Sequence, residues 1–230
     1  GKEYIVKTIV TTETIKTIAE RNGVEMYDVY TGFKWIANVM RENEGKKNYI
    51  GGGEESYGFL CEDFVRDKDA VSACVILAEI AAWAKDQGLS LYQLLQKIYV
   101  EYGFSKEKGI SVVKKGKSGA EEIEAMMKKF RENPLTEIAG SKVTYFYDYS
   151  TLKGKDYAEN ETVTLDMPTT SNVLQYFTED NTKVSIRPSG TEPKIKFYCE
   201  VHSKVKSIDE LPEAEKAAEE KINQIKASLG

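Results

Sequence analysis

The chain has 230 residues, with 32 basic against 37 acidic side chains, 41% apolar residues, 17 glycines and 5 prolines. This composition excludes disordered and collagenous classes, and neither half has the excess positive charge of a nucleic-acid surface. A chain of this length is expected to hold two domains, at about 100–200 residues each.

The chain opens inside a strand. Tyr4 to Val10 is β-branched and apolar, and Thr11-Thr12-Glu13-Thr14 can cap a helix that carries Ile15, Ile18 and Ala19 on one face and ends at Gly23. Val24 to Tyr30 reads as a second strand. Thr31-Gly32 then turns into a helix with Phe33, Ile36, Ala37 and Met40 at i, i+3, i+4 and i+7. Two strand–helix units in succession predict an α/β sheet. After Tyr49-Ile50 comes Gly51-Gly52-Gly53-Glu54-Glu55-Ser56-Tyr57-Gly58. Asp69 to Lys85 is apolar nearly all round, which predicts a helix laid against the sheet and under another layer. Asp63, Asp67 and Asp69 read as helix-start acids, and Trp35 and Trp83 as core or packing residues. Ser90 caps a helix whose Leu91, Leu94, Leu95 and Ile98 form one stripe.

From Gly103 to Ser118 the chain turns to Gly, Lys and Ser around a short Ile110–Val113 strand, and this is the expected boundary, with domains at 1–104 and 105–230. The second part predicts a helix at Ala120–Arg131 and strands at Lys142–Tyr149, near Thr162–Leu165, at Lys183–Arg187 and at Lys194–Val201. Ser207-Ile208-Asp209-Glu210 is the capping box expected for a last helix, with Ala214, Ala217, Ala218, Ile222 and Ile225 inward. Together these elements predict an α/β domain followed by a small α+β domain.

Two stretches stand out chemically. Arg187-Pro188-Ser189-Gly190-Thr191-Glu192-Pro193 joins two strands, and its residues suit a phosphate dianion. Arg187 can bind bidentately, Ser189 and Thr191 donate hydroxyls, and Gly190 lets backbone N–H groups close in. The same residues also fit a hairpin turn that is merely polar. In Gly51–Gly58, a glycine run allows close backbone approach, and Glu54, Glu55 and Ser56 could accept from and donate to vicinal sugar hydroxyls. A solvated acidic loop tip fits as well. Gly116-Lys117-Ser118 fails as a Walker loop, because the position five before Gly116 is Ser111. The aspartates at 63, 67 and 69 lack calcium-loop spacing. Cys61, Cys74 and Cys199 are widely spaced, and His202 is the single histidine, so a zinc site and histidine-based triads are not expected. No apolar run reaches the roughly 20 residues of a membrane span, nothing at the N-terminus has the order of a signal peptide, and the Asn160-Glu161-Thr162 sequon reads as accidental. Reduced thiols fit a cytoplasmic setting.

Four motifs in sequence, Thr31-Gly32-Phe33-Lys34, Gly52-Gly53-Glu54-Glu55-Ser56-Tyr57-Gly58, Arg66-Asp67-Lys68-Asp69 and Arg187–Pro193, resemble the α-D-phosphohexomutase family in its phosphoglucomutase/phosphomannomutase branch. The resemblance implies domains 3 and 4 of a four-domain enzyme: an α/β/α domain with a sugar-recognition loop, then an α+β domain like the TATA-binding-protein layer with a phosphate-binding loop. By that resemblance Glu54, Ser56, Thr31, Gly32 and Lys34 would bind the sugar. Arg187, Ser189, Gly190 and Thr191 would hold the non-reacting phosphate, and Lys68 matches a lysine near the reacting phosphoryl group. The implied parent interconverts hexose 1-phosphate and hexose 6-phosphate, glucose first, through a phosphoserine enzyme and a hexose 1,6-bisphosphate intermediate or activator. Mannose or pentose phosphate specificity and a non-catalytic phosphosugar-binding module are the alternatives. The family's phosphoserine and Asp-Gly-Asp magnesium motifs do not occur in this sequence, so Mg2+ ligands are expected outside it. The chain, with a lone Gly1 before its first strand, is expected to be an engineered C-terminal fragment that is inactive alone. Its partners would be a phosphosugar and the missing N-terminal domains, with no nucleic acid and no membrane.

Overall fold

The computed structural model describes residues 1–114, 116–190 and 192–229, and it divides into two units, residues 1–103 with 205–208 and residues 104–204 with 209–230. The first unit contains β1 (Glu3–Thr8), α1 (Thr14–Arg21), β2 (Glu25–Val29), α2 (Phe33–Asn43), β3 (Asn48–Gly53), β4 (Phe59–Leu60), α3 (Ala70–Asp86) and α4 (Leu91–Tyr102). Its sheet runs β2-β1-β3-β4, parallel except for β4. From β1 the chain crosses to one side through α1. It then returns across β1 to β3 through α2, and right-handed crossovers in opposite directions put these helices on opposite faces. The predicted α2 stripe is real: Phe33, Ile36 and Met40 close a core with Tyr4, Val6, Val29, Tyr49 and Leu60. On the other face Lys7 is fully buried, its ammonium 2.6 Å from Asp28 and 3.0 Å from Glu13 at the start of α1.

The second unit contains β5 (Phe104–Val113), α5 (Gly116–Glu132), β6 (Glu137–Ile138), β7 (Ser141–Asp148), β8 (Lys153–Asp156), β9 (Glu161–Thr164), β10 (Leu174–Thr178), β11 (Lys183–Pro188), β12 (Lys194–Ser203) and α6 (Leu211–Leu229). Strands run β5-β12-β11-β10-β7-β8-β9 in an antiparallel sheet, and β6 pairs with β7 beside it. One face is apolar. Val184, Ile186, Ile195, Phe197 and Cys199 are buried on it, and Phe130 of α5 meets Phe197 edge-on at 6.2 Å. The opposite face carries a satisfied polar ladder. Tyr149 donates to Gln175 at 2.6 Å, and the Gln175 amide donates to Ser185 at 2.7 Å.

Several expectations are corrected. The stretch read as a loop-like boundary around a short strand is a ten-residue strand, β5, paired with β12 along its whole length. Its lysines are not loop residues: Lys106 and Lys108 pair with Glu215 and Glu219 of α6. The helix expected at Ala120 begins at Gly116, and β8 and β10 were not foreseen. α6 is preceded by a 3-10 turn at Ile208–Glu210 and turns Leu211, Ala218, Ile222, Ile225 and Leu229 inward, whereas Ala217 is exposed. Of the three acids before α3, Asp69 alone caps it, accepting from Val71 and Ser72. In α4 the expected Ser90 cap forms, with Gln93 completing a capping box, but Leu91 and Leu95 remain exposed.

The largest departure is α3. It meets the sheet at the β4 edge and packs beside α4 rather than lying under a further layer; of its residues only Ala84 is buried, and Trp83 is exposed rather than packed. The edge strand that α3 follows, β4, is two residues long and offers the helix little surface.

Candidate functional site

In the first unit the three parallel strands end together, and the loops that leave them form the site. In a sheet of this kind, ligands sit outside the carboxyl ends of the strands where the winding direction reverses, here between β1 and β3. The loop after β2 brings Thr31 and Gly32, and the loop after β3 brings Glu54 to Gly58. Gly32 sits at φ +120°, where a side chain would be strained, and its N–H donates to Glu54 Oε1 at 2.7 Å. The Glu54 N–H donates to the Gly58 carbonyl at 2.8 Å and closes the loop. Glu55 is tied separately, accepting a long 3.4 Å bond from the buried Thr8 hydroxyl. Both carboxylates are therefore held to the body of the sheet rather than waving in solvent, while Ser56 and the fully exposed Tyr57 form the tip.

The glycine run has a reason the sequence did not reveal. A Cβ on Gly52 would lie 2.1 Å from the Val6 carbonyl oxygen, and one on Gly53 would lie 2.4 Å from that of Gly58. The close approach is to the chain's own backbone. Gly58 in turn leaves room for Glu54 Oε2 and the stem of Lys68, which would stand 3.1 and 3.4 Å from a Cβ there. The structure thus gathers Gly32, Glu54 and Lys68 around one loop. A hydrogen bond from the Lys68 N–H, and then one from its side chain, holds the Asp67 carboxyl below its usual range. Lys34 is directed elsewhere. Its ammonium lies over the Trp35 ring at 5.1 Å and lines a hollow of about 410 Å³ with Arg41 and Arg66.

In the second unit, β11 and β12 form the predicted hairpin. Ser189 N–H donates to the Lys194 carbonyl at 2.8 Å, and Lys114 N–H donates to that of Pro193 at 2.9 Å, so both ends of the loop are fastened. Register places Arg187 directly opposite Lys196. Two like charges facing each other across a strand pair repel, so the mouth of the loop is electropositive. Lys196, which sequence reasoning missed, is partly accommodated over the Tyr198 ring at 6.0 Å. Among the described residues no carboxylate pairs with Arg187. Glu192 is engaged by Lys194, whose hydrogen bond holds its carboxyl below the usual range. A Cβ on Gly190 would meet no atom within 4 Å among the described residues beyond its chain neighbours, so the space before it is open to them. Ser189 and Gly190 border a cleft of about 570 Å³ floored by Ile123 and Met127 of α5. Thr191, the fourth residue expected here, lies outside the described residues.

Near these loops Glu54 is engaged by a backbone N–H, Glu55 by the Thr8 hydroxyl, and Asp67 and Glu192 by lysines. Among the described residues no three His, Cys, Asp or Glu side chains converge as a metal site would require. No helix among them is long and apolar enough to cross a membrane.

Comparison with known proteins follows the same division. Residues 1–102 match the family model described as phosphoglucomutase/phosphomannomutase, alpha/beta/alpha domain III, and residues 111–218 match the model of that family's C-terminal domain. A phosphoglucomutase of Staphylococcus haemolyticus is 36% identical over 198 residues, which are 86% of this chain and 36% of that protein. One from Staphylococcus aureus strain MRSA252 is 40% identical over 194 residues, 84% of this chain and 35% of that protein. The chain therefore spans little more than a third of the curated relatives it matches. Among solved structures, Paramecium parafusin, described as a phosphoglucomutase, aligns with a TM-score of 0.58 at 17% identity, covering 96% of this chain and 38% of its own. A phosphoglucomutase/phosphomannomutase family protein of Burkholderia thailandensis aligns at 0.53 and 18%, covering 94% and 38%. These two likenesses bear on the fold.

Proposed function

Because the chain belongs to the phosphoglucomutase/phosphomannomutase family, we propose that it is the substrate-recognition half of a phosphosugar mutase that interconverts hexose 1-phosphate and hexose 6-phosphate. The observation that carries this reading is the pairing of chemistries. One loop offers anchored carboxylates suited to hydroxyls, and the other offers an arginine facing a lysine with no carboxylate of its own. Glucose is the proposed sugar, on the strength of the 36–40% identity to proteins named phosphoglucomutase.

In this reading each loop binds rather than reacts. Glu54 gives one oxygen to Gly32, and its other oxygen accepts from a sugar hydroxyl, with Ser56 donating from the loop tip. Thr31 and Gly32 border the sugar. Lys68, its stem against Gly58, offers positive charge to the phosphoryl group being transferred. Arg187, Lys196, Ser189, Gly190 and Thr191 hold the phosphate that is not reacting. The transfer itself, from a phosphoserine to the free sugar hydroxyl and from the resulting hexose 1,6-bisphosphate back to the serine, takes that serine from elsewhere in a longer enzyme. Such chemistry depends mainly on positioning and charge stabilisation, which is what this half supplies. Mg2+ would stabilise charge on the transferred group. The donor set here does not fit it, so its ligands are placed in the other domains. The reading places the protein in the cytoplasm, a setting in which three free thiols persist.

The test is an amide-NMR titration of the chain with glucose 6-phosphate, with inorganic phosphate alone as the second ligand. Weak binding is expected, with shifts at residues 189–190 for both ligands and at 54–56 for the sugar phosphate only. Arg187→Ala should weaken both about 30-fold, the loss of charge-assisted bonds of ~2 kcal/mol. Glu54→Gln should weaken the sugar phosphate alone. A folded chain in which high-millimolar glucose 6-phosphate moves neither loop rules the reading out.

A further inference from the structure

Asn172, just ahead of β10, borders the cleft beside the candidate phosphate loop, and it is held there unusually firmly for an exposed residue. Its backbone is fastened on both sides: the Ser171 N–H donates to the Tyr149 carbonyl and the Tyr149 N–H to that of Val173, each at 3.0 Å. Its side chain is fastened as well. Nη2 of Arg131, on α5, donates to Asn172 Oδ1 at 2.9 Å. Arg131 is held in turn through Nε, 2.9 Å from Oδ2 of Asp148, whose side chain is 8% exposed. The other Asp148 oxygen accepts from the Ser150 N–H and hydroxyl at 3.0 and 2.7 Å. A guanidinium is a donor only, so the amide atom that meets it is the oxygen. The Asn172 NH2 group therefore faces away from Arg131, and among the described residues it has no hydrogen-bond partner.

Strand register sets this donor beside the loop. Leu174 pairs with Ile186, and two residues further along each chain the same register brings Asn172 across from Pro188. Asn172, Pro188, Ser189 and Gly190 all border the cleft of about 570 Å³. Alternation decides the side. Asn172, Leu174 and Tyr176 share the face that meets α5, where the Tyr176 hydroxyl donates to the Phe130 carbonyl at 2.9 Å. Arg187 and Lys196 alternate to the other face, with Ser185 and Tyr198. An anion seated on Ser189 and Gly190, past the end of these strands, is thus open to two cations from one face and to the Asn172 amide from the other. Of the two carboxylates that border the cleft, Glu192 is engaged by Lys194, and Glu124 is exposed to solvent, which screens it.

We propose that Asn172 is a further ligand of the non-reacting phosphate, donating from Nδ2 to a phosphate oxygen, and that Arg131 and Asp148 are positioning residues that set the direction of that amide. The proposal rests on the recognition-half reading and adds to its phosphate site a neutral donor from the opposite face of the sheet. A phosphate ester presents three acceptor oxygens. Arg187 and Lys196 supply charge, and a pre-oriented amide supplies direction at no cost in reorganisation when the ligand arrives.

Amide NMR of the chain, read at side-chain NH2 groups, tests it. Titration with inorganic phosphate should move the Asn172 NH2 pair together with the backbone amides of residues 189–190. The pair is assigned by its absence from Asn172→Ala and Asn172→Asp. Asn172→Ala should weaken phosphate about fivefold, and Asn172→Asp at least about tenfold, since it keeps an oxygen toward Arg131 but turns the donor into an acceptor. Thermal melts of Asn172→Asp should match those of the parent chain. Arg131→Lys keeps the charge beside Asp148 and lacks the second N–H for Asn172. It should weaken phosphate about threefold in the parent chain and not at all in the Asn172→Ala background, a coupling that a merely structural role does not produce. An Asn172 NH2 pair that stays still while residues 189–190 shift overturns the proposal, as does either Asn172 variant binding phosphate within about twofold of the parent chain. If Arg187→Ala still weakens binding in that case, the functional reading stands and only this inference falls. A folded chain in which neither phosphate nor glucose 6-phosphate moves residues 189–190 removes both.

Discussion

Lys183→Met is the sharpest physical test of the second unit. Lys183 Nζ lies 2.8 Å from Glu200 Oε2 with the two side chains 1% and 3% exposed, and His202 Nε2 lies 2.7 Å from Glu200 Oε1. Burial pushes the Glu200 carboxyl up, but the Lys183 charge and the His202 hydrogen bond outweigh it and hold the group well below the usual carboxylate range. Deleting one partner of a buried pair leaves the other charge uncompensated, at a cost of about 3–5 kcal/mol. With a urea slope of about 2 kcal/mol/M, the midpoint for this unit falls by about 2 M. Both tryptophans belong to the first unit, so the transition is followed by hydrogen exchange of peptides covering β11 and β12 across a urea series. pH provides a second axis. In the parent chain Glu200 has a lowered folded pKa, so its stabilisation is complete above the unfolded carboxylate value of about 4.3 and is lost as pH falls through the folded one. Without Lys183 its largest opposing charge is gone, and burial raises the Glu200 carboxyl against His202 alone. Its destabilisation is then largest at neutral pH and is relieved as it takes up a proton. The deficit of the variant should therefore shrink between pH 7 and pH 4, and Lys183→Met with Glu200→Gln should recover most of it. A deficit under about 1 kcal/mol at pH 7, or one that does not change by pH 4, refutes the reasoning.

Two further outcomes follow from the geometry. Gly52→Ala forces a Cβ against the Val6 carbonyl of the central strand, so thermal unfolding of the first unit, followed by Trp35 emission, should register a loss of at least about 2 kcal/mol. Gly190→Ala enters open space and should leave stability within about 0.5 kcal/mol while weakening phosphate binding; an unaltered melt for Gly52→Ala is the result that contradicts this contrast. Burial pushes the Cys199 thiol up to about 12, whereas Cys74 is exposed. Maleimide at pH 8 should therefore modify Cys74 and spare Cys199 in the folded chain, and comparable rates at both would show that β12 opens.

What could be read from the sequence was what neighbours along the chain decide. The α2 stripe, the Ser90 cap and the hairpin around Arg187–Pro193 depend on residues three or four apart, or on one turn, and they stand as expected. The polar loops at 54–58 and 187–193 were visible because glycine, arginine, hydroxyls and carboxylates cluster there in short runs. Tertiary structure decided the rest. β5 looked like a loop because its lysines find their carboxylates on α6, more than a hundred residues later. Lys196 joined the candidate phosphate site only through strand register, which sets it across from Arg187. The glycines of β3 looked like space for a ligand, and the fold spends that space on the carbonyl of Val6 and on loop closure at Gly58. α3 is the converse case. Its apolar sequence predicts burial, but burial needs an apposed surface, and the structure leaves every residue of α3 except Ala84 partly or fully exposed beside a two-residue edge strand.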